Sequence, residues 1–476
     1  VHVGNNARGE PWVAMDGLDG ERSAARGLFE RDQIDAARAA YLALVQRAPD
    51  HAGVLGDAGT FFFKTGSYAA AQTAFERAVA LAPESPRAHV NLGNVNFARG
   101  AFDAAQASYV AALALDPDDA DAHQGLSYAL VRLDRDDEAV IHRQRGFVGR
   151  SIATAPYRGS APPIDVLVLV AAAGGTTYTD SLFDDTRFRT TTLAADVDDP
   201  MPPPLPGYDV IFNALADADR VPDALAAMDR RFGACSPLLN PPRRVLATTR
   251  VGNARRLGVL PGVVAPKTVA IARAALERSG AMALLMRGFA FPLLLRSPGY
   301  QTGRHFVRVD AAADLPAALA ALPGDTLLAI AFVDVRSGDG LIRKYRMMIV
   351  DGVLYPLHAA VADDWKVHYV TARMDEAAHR AEDAAFLADP AAVLGAPAMA
   401  ALAAVRDTLG LDYAGIDFSL DADGRVVVFE ANATMIVLPP GPEPHWEYRR
   451  APVARVIDAV RTMIARRSLP TSPTSR

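Results

Sequence analysis

Asp417, Glu430 and Asn432 stand in "DYAGIDFSLDADGRVVVFEANAT", two half-apolar strand patterns joined by the turn signal "DADG". A two-residue loop of either Ala422 and Asp423 or Asp423 and Gly424 would set Asp417 opposite Val428 or Glu430. Either choice gathers Asp417, Glu430 and Asn432 on one face, and leaves Ile416, Phe418, Leu420, Val427 and Phe429 as a core face. Two carboxylates and an amide held together repel unless a cation joins them. Magnesium suits that set, because it takes oxygen ligands at about 2.0 to 2.1 Å and keeps positions open for phosphate and water. Manganese is the alternative ion.

These strands need a scaffold, and the sequence supplies an α/β one. "IDVLVLVAAAGG" from Ile164 reads as a buried parallel strand, "YDVIFNALAD" as a second strand, and "VPDALAAMDRRFG" as a helix. Strand and helix alternate, so a small open sheet is expected over 164–265. "YRGSAPP" from Tyr157 reads as linker, and "DDPMPPPLPG" as loop. The glycines of "AAAGG" lack the G-x-G-x-x-G spacing and a secure acidic partner for a ribose, which sets a dinucleotide site aside.

The first third of the chain is periodic. Pro49, Pro83 and Pro117 lie 34 residues apart, as do Tyr41, Phe75 and Tyr109, and Ala37, Ala71 and Ala105. Small Gly59 and Gly93 let helices approach, Phe75 and Tyr109 fill the gap, Gly66 and Gly100 punctuate turns, and the prolines end each second helix. Leu126 and Ala139 mark a weaker terminal copy. "AGTFFFKTGSYAAAQTAFERAVALAP" and "LGNVNFARGAFDAAQASYVAALALDP" resemble tetratricopeptide repeats, which implies a solenoid of paired helices that holds a peptide or protein partner. Phe63 and Phe97, with Asn94 nearby, line that face or serve as buried packing between repeats, the second being the expectation.

"GIDF" with "FEANA", the basic strand and glycine loop of "FPLLLRSPGYQTGRHFVRV" and the entry "LNPPRRVLATTRVGNARRLGVLPGVVAPKTVAI" together resemble the ATP-grasp fold of glutathione synthetases and ribosomal-protein glutamate ligases. "LNPPRRVLATTRVGNARRLGVLPGVVAPKTVAI" resembles the junction leading into that fold, and "FPLLLRSPGYQTGRHFVRV" its phosphate-covering strand and loop. "LLAIAFVDVRSGDGLIRKYRMMIVDGVLYPLH" is similar to the adenine hinge and the strand pair that follows, and "GIDF" with "FEANA" to the metal-binding hairpin. The resemblance implies ATP contacts from Arg250, Arg296, Gln301, Thr302, Gly303, Phe332, Val333 and Asp334, and metal ligation by Asp417, Glu430 and Asn432. Many relatives carry an arginine just before the metal-binding Asp. Gly415 and Ile416 stand there instead, so Arg346, with Arg343, is expected to supply the catalytic cation. Arg296 stands where lysine is usual, giving bidentate geometry in place of a point charge. His358, Trp365, Lys366 and His368 are candidate substrate contacts, and "HWEYRR" from His445 a candidate closing segment.

The implied reaction is formation of an amide from a carboxylate and an amine through an acylphosphate, with release of ADP and phosphate. The alternatives are a kinase of the same fold and a non-catalytic nucleotide-binding scaffold.

The expected organisation is multidomain α and α/β: a tail at 1–15, a solenoid at 16–150, a linker at 151–163, a pre-ATP-grasp domain at 164–265, an ATP-grasp domain of two α+β lobes at 266–465, and a tail at 466–476. The chain has 476 residues, 22% of them charged, and a net charge of −6, so no nucleic-acid or anionic-membrane partner is expected. Its single cysteine, Cys235, excludes an intrachain disulfide and fits a cytoplasmic setting. No secretory signal is read at the first residues, and no apolar run is long enough to cross a bilayer.

Overall fold

The structure is a computed structural model that describes residues 13–300, 303–367, 372–441 and 443–468. Its contacts divide into two units, 1–150 with 197–202, and 151–196 with 203–476.

Among the described residues of the first unit, eight helices run as four antiparallel pairs: α1 (Val13–Glu30) with α2 (Ile34–Arg47), α3 (Ala52–Lys64) with α4 (Tyr68–Leu81), α5 (Pro86–Ala98) with α6 (Phe102–Leu115), and α7 (Ala120–Arg132) with α8 (Asp136–Phe147). The period is written into the packing. Ala37, Ala71 and Ala105 are fully buried where helices cross. A Cβ on Gly93 would come within 2.5 Å of the Tyr109 ring, and one on Gly59 within 2.6 Å of Phe75, so only glycine admits the aromatic wedge. Ser85 and Asp119, again 34 apart, each accept a hydrogen bond from the amide three residues on and start α5 and α7. Phe63 and Phe97 pack on Tyr68 and Phe102, the first residues of the next helices, with ring centroids 5.6 and 5.4 Å apart. Both rings are only partly buried and brace the turn inside a repeat, whereas buried packing between repeats was the expectation.

Among its described residues the second unit holds fourteen strands: β1 (Ile152–Thr154), β2 (Ile164–Val170), β3 (Phe188–Ala194), β4 (Val210–Asn213), β5 (Leu238–Leu239), β6 (Val263–Val264), β7 (Thr268–Ala272), β8 (Leu293–Arg296), β9 (Phe306–Val309), β10 (Thr326–Ala331), β11 (Ile342–Val350), β12 (Val353–Ala362), β13 (Tyr413–Leu420) and β14 (Val426–Asn432). They form three sheets, in the orders β1-β3-β2-β4-β5, β7-β10-β8-β9 and β12-β11-β13-β14-β6.

The first sheet is parallel except for β1, which pairs antiparallel with β3. The start of the segment 151–163 is thus a strand rather than linker. The sequence reading also passed over β3, because "FRTTTLA" is threonine-rich and lacks a continuous apolar run. The C-terminal helix Glu447–Ser468 extends past the expected boundary at 465, with Val456, Val460 and Ile464 buried against Met348 and Val350.

Alternation decides what faces outward from the other two sheets. On β8, Leu293 and Leu295 enter a core with Ile271, Leu276 and Leu327, which turns Leu294 and Arg296 the other way. On β11, Tyr345, Met347 and Ile349 face a core shared with Leu402 and Val405, so Lys344 and Arg346 project from the opposite side.

Candidate functional site

A cavity of about 860 Å³ is lined by the loop after β2, the helix Arg250–Leu257, β8, the segment following β10, β11, β13 and β14. Its size falls in the range of small-molecule sites. One part is apolar, with Leu257, Pro266, Ile330, Phe332, Val333 and Trp365. Another carries Arg250, Arg296, Lys344, Arg346 and Lys366 against, among the described residues, two acids, Asp417 and Glu430.

The hairpin that bears those acids is built differently from either expected loop. Gly424, at φ +75°, donates its amide to Asp421, and Asp421 donates back to Arg425, closing a three-residue loop of Ala422, Asp423 and Gly424. Alone, that loop would set Asp417 opposite Phe429. A bulge between Asp417 and Phe418 skips one residue of β14, and Asp417 pairs with Glu430 after all. Between loop and bulge the faces are exchanged relative to the sequence reading: Val428 enters the core with Phe418, while Val427 packs with Val335 and Ile342. Phe429, expected in the core, is the bulged residue and is 43% exposed. Asp417, Glu430 and Asn432 do share the cavity side.

Their partners are mostly cations. Arg346, directly across from Asp417 on β11, donates Nε and Nη2 to its two oxygens at 2.5 and 2.8 Å, and Lys344 Nζ lies 2.9 Å from Oδ2. Burial would raise the Asp417 pKa, but Arg346 and Lys344 outweigh it and hold the group far below the usual carboxylate range. Glu430 is likewise lowered against its burial by Arg250 and Arg296. Its Oε1 accepts from Arg250 at 2.8 Å and from Asn432 at 3.0 Å, while Asn432 Oδ1 accepts from the Thr434 amide and hydroxyl.

Arg250 opens its helix just after Thr249, whose side chain caps it. It also donates to Asp219 at 2.8 Å and lies 3.7 Å from Asp217. Surrounded by three carboxylates, it serves to position Glu430.

Arg296 is different. Its Nε is buried without a hydrogen-bond partner, its Nη2 donates to the Tyr300 carbonyl, and among the described residues no carboxylate pairs with it. Burial, then the neighbouring Arg250, pushes its pKa down to about 10. Such a cation is poorly compensated and calls for an anion.

Other sequence candidates divide. Phe332 and Val333 line the cavity, whereas Asp334 does not and pairs with Arg336 at 3.0 Å. Gly303, at φ +73°, lines it too, and a Cβ there would meet the Lys366 side chain at 2.5 Å. Trp365 and Lys366 are lining residues; Trp365 packs edge-on against Phe306 at 5.2 Å.

Arg343 is not part of the site. Three residues from Arg346 on a strand, it points to the opposite face and binds Glu382 and Asp339 at 2.6 and 2.8 Å. His358 is buried beneath, across from Arg346, and is absent from the lining; burial and then Arg346 depress its pKa well below the ordinary histidine value. His445 and Trp446 are not lining residues either. Gln301, Thr302 and His368 lie outside the described residues.

The sequence reading missed Lys344, although its spacing of two from Arg346 is the signal that puts both on one face. It also missed Asp217 and Asp219, whose role depends on where a distant helix begins.

Among the described residues no helix is long and apolar enough to cross a membrane, and no group of three or more His, Cys, Asp or Glu forms a metal cluster.

Comparison with known proteins bears on the first unit. A tetratricopeptide repeat family matches residues 22–86 and 57–105, and a TPR repeat family matches 93–134. Solved structures similar to the chain include MamA 41-end from Desulfovibrio magneticus RS-1, 23% identical, covering 26% of this chain and 71% of that one with a TM-score of 0.25. MamA MSR-1 is 19% identical, covering 27% and 74% with a TM-score of 0.25. No curated protein matches the chain in sequence. The N-terminal region is a tetratricopeptide repeat solenoid, of the kind that binds protein or peptide partners.

Proposed function

We propose that the second unit is an ATP-dependent ligase of the ATP-grasp type, joining a carboxylate to an amine through an acylphosphate, and that the solenoid recruits a peptide or protein to it. The observation that carries this reading is Arg296, a buried cation with an orphaned Nε in a cavity whose lining has more positive than negative side chains. A triphosphate answers that excess. The apolar stretch of Phe332, Val333 and Trp365 suits a base, and the glycine at 303 lets backbone approach phosphate.

Asp417, Glu430 and Asn432 fit a magnesium ion by donor chemistry: oxygen-bearing groups on one cavity face, with both carboxylates anionic. Manganese fits the same set. When bound, the ion would neutralise charge on the phosphates. The chain's own residues do the rest. Arg296 and Arg346 hold phosphate oxygens and stabilise charge that develops on the transferred phosphoryl group. Arg250 fixes the Glu430 carboxylate. The substrate carboxylate oxygen attacks the γ-phosphorus and ADP leaves; the neutral amine then attacks the acyl carbon, phosphate leaves, and the amine proton passes to solvent.

A thermal-shift series with and without magnesium tests the reading. ATP with magnesium is expected to raise the melting temperature, and Glu430→Ala to abolish that rise; the same rise in Glu430→Ala would refute the site. ADP is expected only when both acid and amine are present. A phosphoester in the product mass would select the kinase instead, and binding without turnover the scaffold. The lone Cys235 is consistent with work in a reducing cytoplasm.

A further inference from the structure

The ion pairs around Asp417 raise a question that the proposed nucleotide site leaves open. Asp417 has two oxygens and three cationic contacts, so a divalent ion would arrive at a carboxylate already neutralised and still faced by a net positive charge. The two cations are held unequally. Arg346 grips both oxygens through a planar fork, whereas Lys344 makes a single contact from a flexible stem. Lys344 is the one more easily drawn off. Its side chain lines the cavity on the same face as Arg346, two residues along β11, within reach of whatever the cavity holds.

We propose that Lys344 is a displaceable counter-ion: without nucleotide it neutralises Asp417, and a nucleotide's phosphates draw it away, so that a divalent cation binds Asp417 and Glu430 only together with the nucleotide. The exchange half of this inference rests on the nucleotide reading above. It explains a lysine where strand alternation puts it beside the cation already serving Asp417, an arrangement that stability alone does not require: a lone Arg346 satisfies both carboxylate oxygens. The consequence is ordered loading. Free metal is kept out by like charge, and nucleotide brings its own ion while removing the obstacle.

Manganese is the probe. Its binding to the full chain is followed by electron paramagnetic resonance, with no nucleotide, with AMP, or with the non-hydrolysable analogue AMP-PNP. In the wild type, manganese alone is expected to show no saturable binding below millimolar concentration, and AMP-PNP to create a site.

Lys344→Met is expected to bind manganese alone at least tenfold more tightly than the wild type and AMP-PNP at least tenfold more weakly, with AMP little changed. Lys344→Arg is expected to behave as wild type towards manganese alone. Lys344→Gln repeats the test should the methionine variant fold poorly, and Asp417→Asn should abolish the site in every background. Equal manganese affinity in wild type and Lys344→Met would overturn the role of Lys344 even if AMP-PNP still raised the melting temperature. No AMP-PNP shift in the wild type would instead overturn the nucleotide reading, and the exchange with it, while a gain of manganese binding in Lys344→Met would still identify the counter-ion.

Discussion

The two units solve the problem of specifying a structure in opposite ways. In the solenoid the same few contacts recur every 34 residues, and each is local: Gly59 with Phe75, Gly93 with Tyr109, Ser85 with the start of α5. In the α/β unit the decisive contacts occur once and join residues far apart in sequence, such as Arg250 with Glu430 or Asn240 with Tyr413. Local repetition makes a scaffold legible and tolerant of errors in single copies. A site assembled from single, distant contacts gains chemistry and loses redundancy.

The sharpest way to break that contrast is Asn240→Ala. Asn240 is buried at φ +52°, donates to the Tyr413 carbonyl, accepts from the amides of Asp412 and Tyr413, and takes the Asn213 amide on its own carbonyl. Losing the side chain leaves several buried groups unpaired and strains an alanine, for a cost of about 3 kcal/mol or more. Urea unfolding of the full chain should show the loss, together with a weaker ATP-induced shift, because β13 carries Asp417.

Gly93→Val tests the other side. Its added atoms meet the Tyr109 ring, and overpacking should cost roughly 2 to 3 kcal/mol, read as a lower unfolding midpoint with the ATP-induced shift unchanged. If Gly93→Val abolished that shift, the division of labour between the units would be wrong.

Arg296→Met sharpens the contrast within the site. It removes a buried, poorly compensated cation, so stability should hold or rise by about 1 kcal/mol, while affinity for the proposed ATP ligand should fall about tenfold or more. Calorimetry reads both. A variant that lost stability and kept its ATP affinity would recast Arg296 as a structural residue.

The smallest effect concerns His142, whose Nδ1 lies 2.8 Å from that of His123. Burial and then His123 lower its pKa below the ordinary 6.5. The unfolded chain therefore binds the proton more readily, and this contribution is intact above pH 6.5 and declines as pH falls towards the folded value. A decline of about 1 kcal/mol or less is expected in unfolding experiments between pH 7 and 5, and His142→Gln should flatten it.

Much of the site was legible because strand geometry has a period of two. That rule gathered Asp417, Glu430 and Asn432 on one side, and it would equally have separated Arg343 from Arg346 and joined Lys344 to Arg346 had it been applied there. Asp417 meets Glu430, one of the two partners the sequence left open, through two irregularities that cancel, a three-residue loop and a bulge, while Val427 and Phe429 between them did not follow the simple pattern. β3 was missed because its threonines make no apolar run, and it is pairing on both sides, a tertiary fact, that makes the segment a strand.

The sequence by itself determined the repeat, the alternation of strands and helices, and the types of side chain available for chemistry, since each depends on spacings within a short window. Only the tertiary structure decided which charges meet. Arg250 reaches Glu430 across 180 positions of sequence, and Arg346 reaches Asp417 across 71. Among the described residues the same folding leaves Arg296 without a carboxylate partner. Electrostatic partnership depends on distance in space, and a chain brings remote segments together only when its cores close.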